Sequence, residues 1–170
     1  TDVRASLITE HGNYPEMFIQ LFSTVTPDWQ FKVYDVCHFE YPQDLNECDG
    51  YITTGSRYSV NDNDQWIREL EKFTVQLHKA SIKLVGICFG HQLLAKALGG
   101  KVEKSTKGWG VGLSFNQVDS QQPWMQPFQS GIDLIVSHQD QVIQMPKNAQ
   151  LLASSAFCPN YMLKYSEHLI

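Results

Sequence analysis

Apolar positions recur with two different periods along this chain, and the rhythm changes near residue 100. Met17, Phe18, Leu21, Phe22 and Val25 follow the i, i+3, i+4 spacing of one helical face, and Pro15 suits a first turn, so a helix is predicted over 14–25. After a turn at Pro27-Asp28, the alternation in 31–36 predicts a strand, and 50–54 predicts another. Asn61 to Asp64 offer N-caps for a helix over 65–79 with Trp66, Leu70, Phe73 and Leu77 on one side. Residues 82–87 are almost continuously apolar, the mark of a strand buried on both faces, and 91–98 read as helix until Gly99-Gly100 stops it.

Strands alternating with helices predict a parallel sheet covered by helices through right-handed crossovers. The expected fold is α/β: a flavodoxin-like, open, mostly parallel sheet with helices on both faces. Past residue 100, short strand candidates at 101–103, 110–115, 134–137, 150–154 and 161–165 alternate with Gly, Pro, Asn and Ser, and are expected as added strands of the same domain. With 170 residues and no linker or repeat, one domain over 1–170 is the reading.

Composition narrows the function. Hydrophobic residues at 42% and charged residues at 18% suit a folded core. A net charge of −5 without a basic cluster argues against nucleic acid. No apolar run nears the ~20 residues needed to cross a bilayer, and Thr1-Asp2-Val3-Arg4 is unlike a secretion signal, so no membrane role and a cytoplasmic location are expected. Cysteines at 37, 48, 88 and 158 have neither metal-ligand spacing nor a disulfide framework; no metal and no cofactor are called for.

Among the four, Cys88 has the most telling surroundings. It stands in Gly86-Ile87-Cys88-Phe89-Gly90-His91-Gln92, where a strand meets a helix. A nucleophile on such a turn projects above the sheet, and small residues two places before and after it let the backbone bend. The helix N-terminus is expected to lower the thiol pKa, and the Phe89 amide to serve as an oxyanion donor. A plain buried cysteine at a strand end is the bland alternative.

At these residues the chain resembles the class I glutamine amidotransferases, whose G-x-C-x-G-x-Q motif is matched by Gly86, Cys88, Gly90 and Gln92. Residues 49–56 are similar to the family's strand and glycine loop, which implies a second oxyanion donor at Gly55. Ser137-His138-Gln139-Asp140-Gln141-Val142 resembles the segment lining the glutamine pocket, and 107–112 also fits. The likeness is nearest to stand-alone proteins related to the glutaminase domain of GMP synthase. It implies attack of the Cys88 thiolate on the glutamine amide, an oxyanion held by Gly55 and Phe89, and release of ammonia, then glutamate. Gln92, Ser137, His138, Gln139 and Asp140 would orient the substrate. Taken singly, Gln92 could be a solvated or capping residue, Gly55 a turn, and 137–140 a polar loop.

The family's base and its carboxylate, His-Pro-Glu, are absent. Tyr165 to Ile170 resembles the strand before that motif, and residues 4–12 resemble the loop into the first family helix. The resemblance therefore implies a natural protein longer at both ends, and a chain inactive as it stands. His91 is expected on a helix surface, His138 as a shaper of the substrate loop, and His168 as a poor substitute base. Glutamine hydrolysis feeding ammonia to a synthetase domain or subunit is the leading expectation. A γ-glutamyl or other amide hydrolase, and a silent binding or regulatory module, remain as alternatives.

Overall fold

The computed structural model describes residues 5–170 and opens with α1 (Ala5–His11), where the sequence predicts a loop. Those seven residues contain no Gly or Pro, so nothing interrupts two helical turns until Gly12, at φ +75°, whose N–H bonds Ile8 O at 2.9 Å. α2 (Tyr14–Ser23) starts at once because Asn13 and Glu16 cap it reciprocally; Glu16 Oε2 accepts from the Asn13 N–H at 3.1 Å. Phe22 stacks on Phe18, Trp29 and Phe31 at centroid distances of 6.3, 5.9 and 6.2 Å, while Leu21 and Val25 stay exposed.

Residues 31–36 are not a strand. They run without ladder bonds into a 3-10 turn at Val36–His38, started by the Asp35 carboxylate accepting from Cys37 N–H at 3.0 Å. A strand persists only where a neighbour takes up its N–H and C=O groups, and no described strand lies beside this segment. An apolar cavity of about 380 Å³ lies instead between α2, residues 31–36 and β1 (Gly50–Thr53).

β1 leads through α3 (Gln65–Lys79) to β2 (Lys83–Gly86), which pairs with it in parallel from Gly50↔Lys83 to Thr53↔Gly86. The predicted face of α3 is the buried one: Trp66, Ile67, Leu70, Thr74 and Leu77 point inward. β2 is covered on one face only. Leu84 packs with Leu77 and Leu94, whereas Val85 and its neighbour Ile52 are exposed, because the helices lie on the Leu84 side. The other edge of β2 takes the chain end in parallel: Leu84 N–H bonds His168 O and Gly86 N–H bonds Ile170 O, each at 2.8 Å.

α4 (Phe89–Ala97) follows β2 and ends before Gly99, at φ +94°. β3 (Lys101–Lys104), β4 (Gly110–Val118), β5 (Gly131–His138), β6 (Asp140–Gln144), β7 (Gln150–Ser154) and β8 (Met162–Lys164) complete the chain. β3 pairs with β6, and β5, β4, β7 and β8 lie in that order in a second sheet, all antiparallel. The described strands are therefore mostly antiparallel, against the expectation of a mostly parallel sheet. Residues 155–161, between β7 and β8, are too few for a crossover and permit only antiparallel pairing. β6 was not anticipated; the chain changes sheets at the single residue Gln139.

α4 unites the core. Leu93 belongs to a cluster with Ile67, Val102, Val142 and Leu163, and Leu94 to one with Leu77, Leu84 and Leu169. Thr74 is fully buried and its Oγ1 has no hydrogen-bond partner, which leaves the hydroxyl desolvated without compensation. Thr74→Val is expected to stabilise the protein by about 1 kcal/mol, read as a rise in the urea midpoint at unchanged m-value.

Candidate active site

Two residues, Ile87 and Cys88, carry the chain from β2 into α4, and the turn is too sharp for ordinary backbone angles. Cys88 takes the strain, at φ 55° and ψ −101°, a conformation that costs a non-glycine residue roughly 1–3 kcal/mol. Neighbouring bonds hold it there: Ile87 N–H donates to Thr53 O and Gly90 N–H to Ile87 O, each at 2.9 Å. Both flanking glycines are needed for close packing rather than for positive φ. A Cβ on Gly86 would lie 2.7 Å from the Gly90 carbonyl, and one on Gly90 would lie 2.0 Å from Thr53 Oγ1 and 2.7 Å from Thr53 O.

The turn leaves Cys88 exposed at the N-terminus of α4, with Phe89 buried behind it. The backbone N–H of Phe89 bonds the Cys88 sulfur, which favours the thiolate, yet partial burial outweighs it and raises the thiol pKa above its ordinary value. The expected depression is not found, since one N–H does not offset desolvation and no cation is among the causes acting on the sulfur. Cys88 is therefore a thiol at neutral pH and needs a base.

Gly55, just past β1, faces Cys88: the position of a Gly55 Cβ lies 3.7 Å from Cys88 Cβ and 3.8 Å from the Tyr14 hydroxyl. Tyr14 and Tyr161 both have raised pKa values, chiefly through burial, with Cys88 adding to it for Tyr14 and Cys158 and then Cys88 for Tyr161, so both hydroxyls are neutral. Neither tyrosine was singled out in the sequence. Tyr14 begins a helix and Tyr161 sits in a loop before β8, and only the fold brings them to Cys88.

The other anticipated residues form a brace beside the turn. Gln92 is buried rather than solvated, and its Nε2 donates to Asp140 O at 2.8 Å; this amide group tethers α4 to β6. His138 Nδ1 donates to the same carbonyl at 3.2 Å, and the Ser59 hydroxyl donates to Asp140 Oδ2. Gln139 O accepts from Ser105 N–H at 2.9 Å. Ser137 is exposed on β5 opposite Val111.

His91 is not a helix-surface residue. Its Nε2 donates to Asn160 O at 3.0 Å, and burial pushes its pKa down to about 4, so it is neutral at physiological pH. His168 bonds His78 O at 3.3 Å and its carbonyl accepts from Leu84 N–H in the middle of β2, so its ring is engaged at α3 and it is no substitute base. His38 pairs with Asp35 on the surface. Among the described residues, no histidine–carboxylate pair serves Cys88, and no group of three His, Cys, Asp or Glu could hold a metal.

Gly90→Ala is expected to cost about 3 kcal/mol or more, since Thr53 backbone as well as its side chain must move; denaturant unfolding measures it. Iodoacetamide labelling of Cys88 in this chain is expected to titrate above the pH of a free thiol, followed by mass spectrometry of the Cys88 peptide.

A family model described as glutamine amidotransferase class-I matches residues 28–163. Gamma-glutamyl peptidase 5 of Arabidopsis thaliana is 33% identical over 166 residues, which cover 94% of this chain and 66% of that protein. Gamma-glutamyl peptidase 3 of the same plant is 30% identical over 165 residues, covering 93% and 66%. The glutamine-hydrolyzing GMP synthase component of Sulfolobus acidocaldarius is 34% identical over 116 residues, covering 66% and 58%. A solved glutamine amidotransferase from Thermotoga maritima shares the fold, with a TM-score of 0.77 at 22% identity over 88% of this chain and 65% of that one. The chain spans just under two thirds of the length of the two plant relatives, 66% of each. On the match over 28–163, which includes Cys88 and its turn, the chain belongs to the class-I glutamine amidotransferase family.

Proposed function

We propose that the protein binds a γ-glutamyl group and hydrolyses the amide at its γ-carbonyl through a thioester on Cys88, with γ-glutamyl peptides as the substrate class. The observation that carries this reading is the strained turn presenting Cys88 beside the Phe89 N–H and the glycine at 55. Likeness over more than nine tenths of the chain to proteins named gamma-glutamyl peptidases favours peptides over free glutamine.

In this reaction a base takes the Cys88 proton and the sulfur attacks the γ-carbonyl carbon. The oxygen takes the electron pair and is held by the Phe89 N–H, with the Gly55 amide as the second donor. Collapse of the adduct forms the thioester and expels the amine, which leaves with the proton returned by the base. Water then cleaves the thioester to a γ-carboxylate and restores the thiol. Gln92 and His138 act by fixing Asp140, while Gln139 and Ser137 remain candidates for contact with the substrate's amino-acid end.

Among the described residues no histidine–carboxylate pair serves Cys88, so the reaction needs a base from outside them. The reaction is placed in the cytoplasm, where reducing conditions keep a nucleophilic cysteine free. Among the described residues no helix is long and apolar enough to cross a membrane.

Free glutamine is the second reading, favoured by the likeness to the glutamine-hydrolyzing GMP synthase component, and it would add a synthetase partner as ammonia acceptor. The two differ only in the leaving group. For the full-length protein, kcat/KM for γ-glutamyl dipeptides is expected to exceed that for glutamine, with Cys88→Ser losing at least about 10³-fold on both. A preference for glutamine that rises with a synthetase present would favour the second reading. No turnover of either substrate would support a silent module.

A further inference from the structure

We propose that the Tyr14 hydroxyl is a third oxyanion donor and therefore a catalytic residue; the inference rests on the thioester reaction above. The space where Gly55 lacks a Cβ is bounded by Cys88 Cβ at 3.7 Å and by the Tyr14 ring carbon Cζ and hydroxyl, both at 3.8 Å. These are ordinary contact distances, so a methyl group would fit there without a clash. Glycine at 55 is accordingly not demanded by packing, nor by a left-handed backbone, for its φ is not in that region. An open space next to the nucleophile and faced by a hydroxyl suits an oxygen that arrives with the substrate.

An oxygen bound to the γ-carbon, once that carbon has joined the Cys88 sulfur, falls within a few ångströms of Cys88 Cβ. A donor on the far side of the same space is placed to reach it when charge develops. Tyr14 is held for this task. It occupies the first turn of α2, and the Asn13–Glu16 cap and the adjoining Pro15 fix where that turn begins. Its hydroxyl stays protonated because burial and the nearby sulfur both oppose ionisation, so the donor is present throughout the neutral range. Tyr161 is also near the sulfur, but the atoms nearest the space beside Gly55 are those of Cys88 and Tyr14, so it is not assigned this role.

The test compares wild type, Tyr14→Phe, Gly55→Ala and Cys88→Ser as full-length proteins. Tyr14→Phe keeps the ring and removes only the donor. It is expected to lower kcat for a γ-glutamyl dipeptide about 10²-fold with KM changed less than about threefold. Affinity for a γ-glutamyl aldehyde, which forms a tetrahedral adduct on the thiol, is expected to fall by a similar factor, while affinity for product glutamate is retained. Gly55→Ala, which fills the space, is expected to lose kcat and aldehyde affinity at an unchanged melting temperature. Wild-type kcat in Tyr14→Phe, or a loss confined to KM, would overturn the Tyr14 role and leave the Cys88 reaction standing. Loss of activity in proportion to a lowered melting temperature would overturn it too, by assigning Tyr14 a structural role. No turnover in the wild type would overturn the reaction and this inference with it.

Discussion

The approach of α4 to β1 at Gly90 and Thr53 is the constraint on which this molecule depends. The helix backbone lies so near the strand that no side chain larger than hydrogen fits between them, and Ile87 N–H reaches Thr53 O through the same contact. That approach sets where the helix begins, and hence how sharply β2 must turn to meet it. The strain at Cys88 is its consequence, stabilised by the burial of Leu93, Leu94 and Ala95 farther along α4. A core this closely packed cannot relax the turn without losing contacts elsewhere.

The same geometry explains why the thiol is placed for reaction but not ionised by its surroundings. Partial burial disfavours the anion, a single backbone N–H counteracts it weakly, and the nearby hydroxyls carry no charge. The brace formed by Gln92, His138 and Asp140 works at one remove, tying α4 to β6 beside the turn.

Away from Cys88, two features set the limits of the described structure. Residues 31–36 lie apart from β1 across an apolar cavity, so the sheet is narrow on that side, and the helices cover β2 only on its Leu84 face. The β4–β5 hairpin carries Val111, Leu113, Phe115 and Ile135 on an exposed face, unlike the helix-covered strands of the first half.

Local chemistry made much of this legible in the sequence. The 3.6-residue spacing of Trp66, Leu70, Phe73 and Leu77, the Gly99 stop, the strand at 150–154 and the glycine pair around Cys88 each depend on the residue and its near neighbours. Other features depend on partners far along the chain. Residues 31–36 have strand-like alternation but no neighbouring strand among the described residues, and β6 forms because β3 lies beside it. Gln92 is drawn out of solvent by Asp140 O, 2.8 Å away, and His91 by its carbonyl partner Asn160, neither of which is near in sequence. Tyr14 carried no signal, because its meaning lies in a distance to Gly55 and Cys88. By itself the sequence determined that Cys88 sits on a strand-to-helix turn between two small residues, since an apolar strand run, two glycines and a helical run are a pattern of adjacent residues, although the need for glycine at 90 comes from distant Thr53. Only the tertiary structure decided the protonation of the sulfur and the groups that face it, because desolvation and hydrogen bonding there are set by segments that folding brings together.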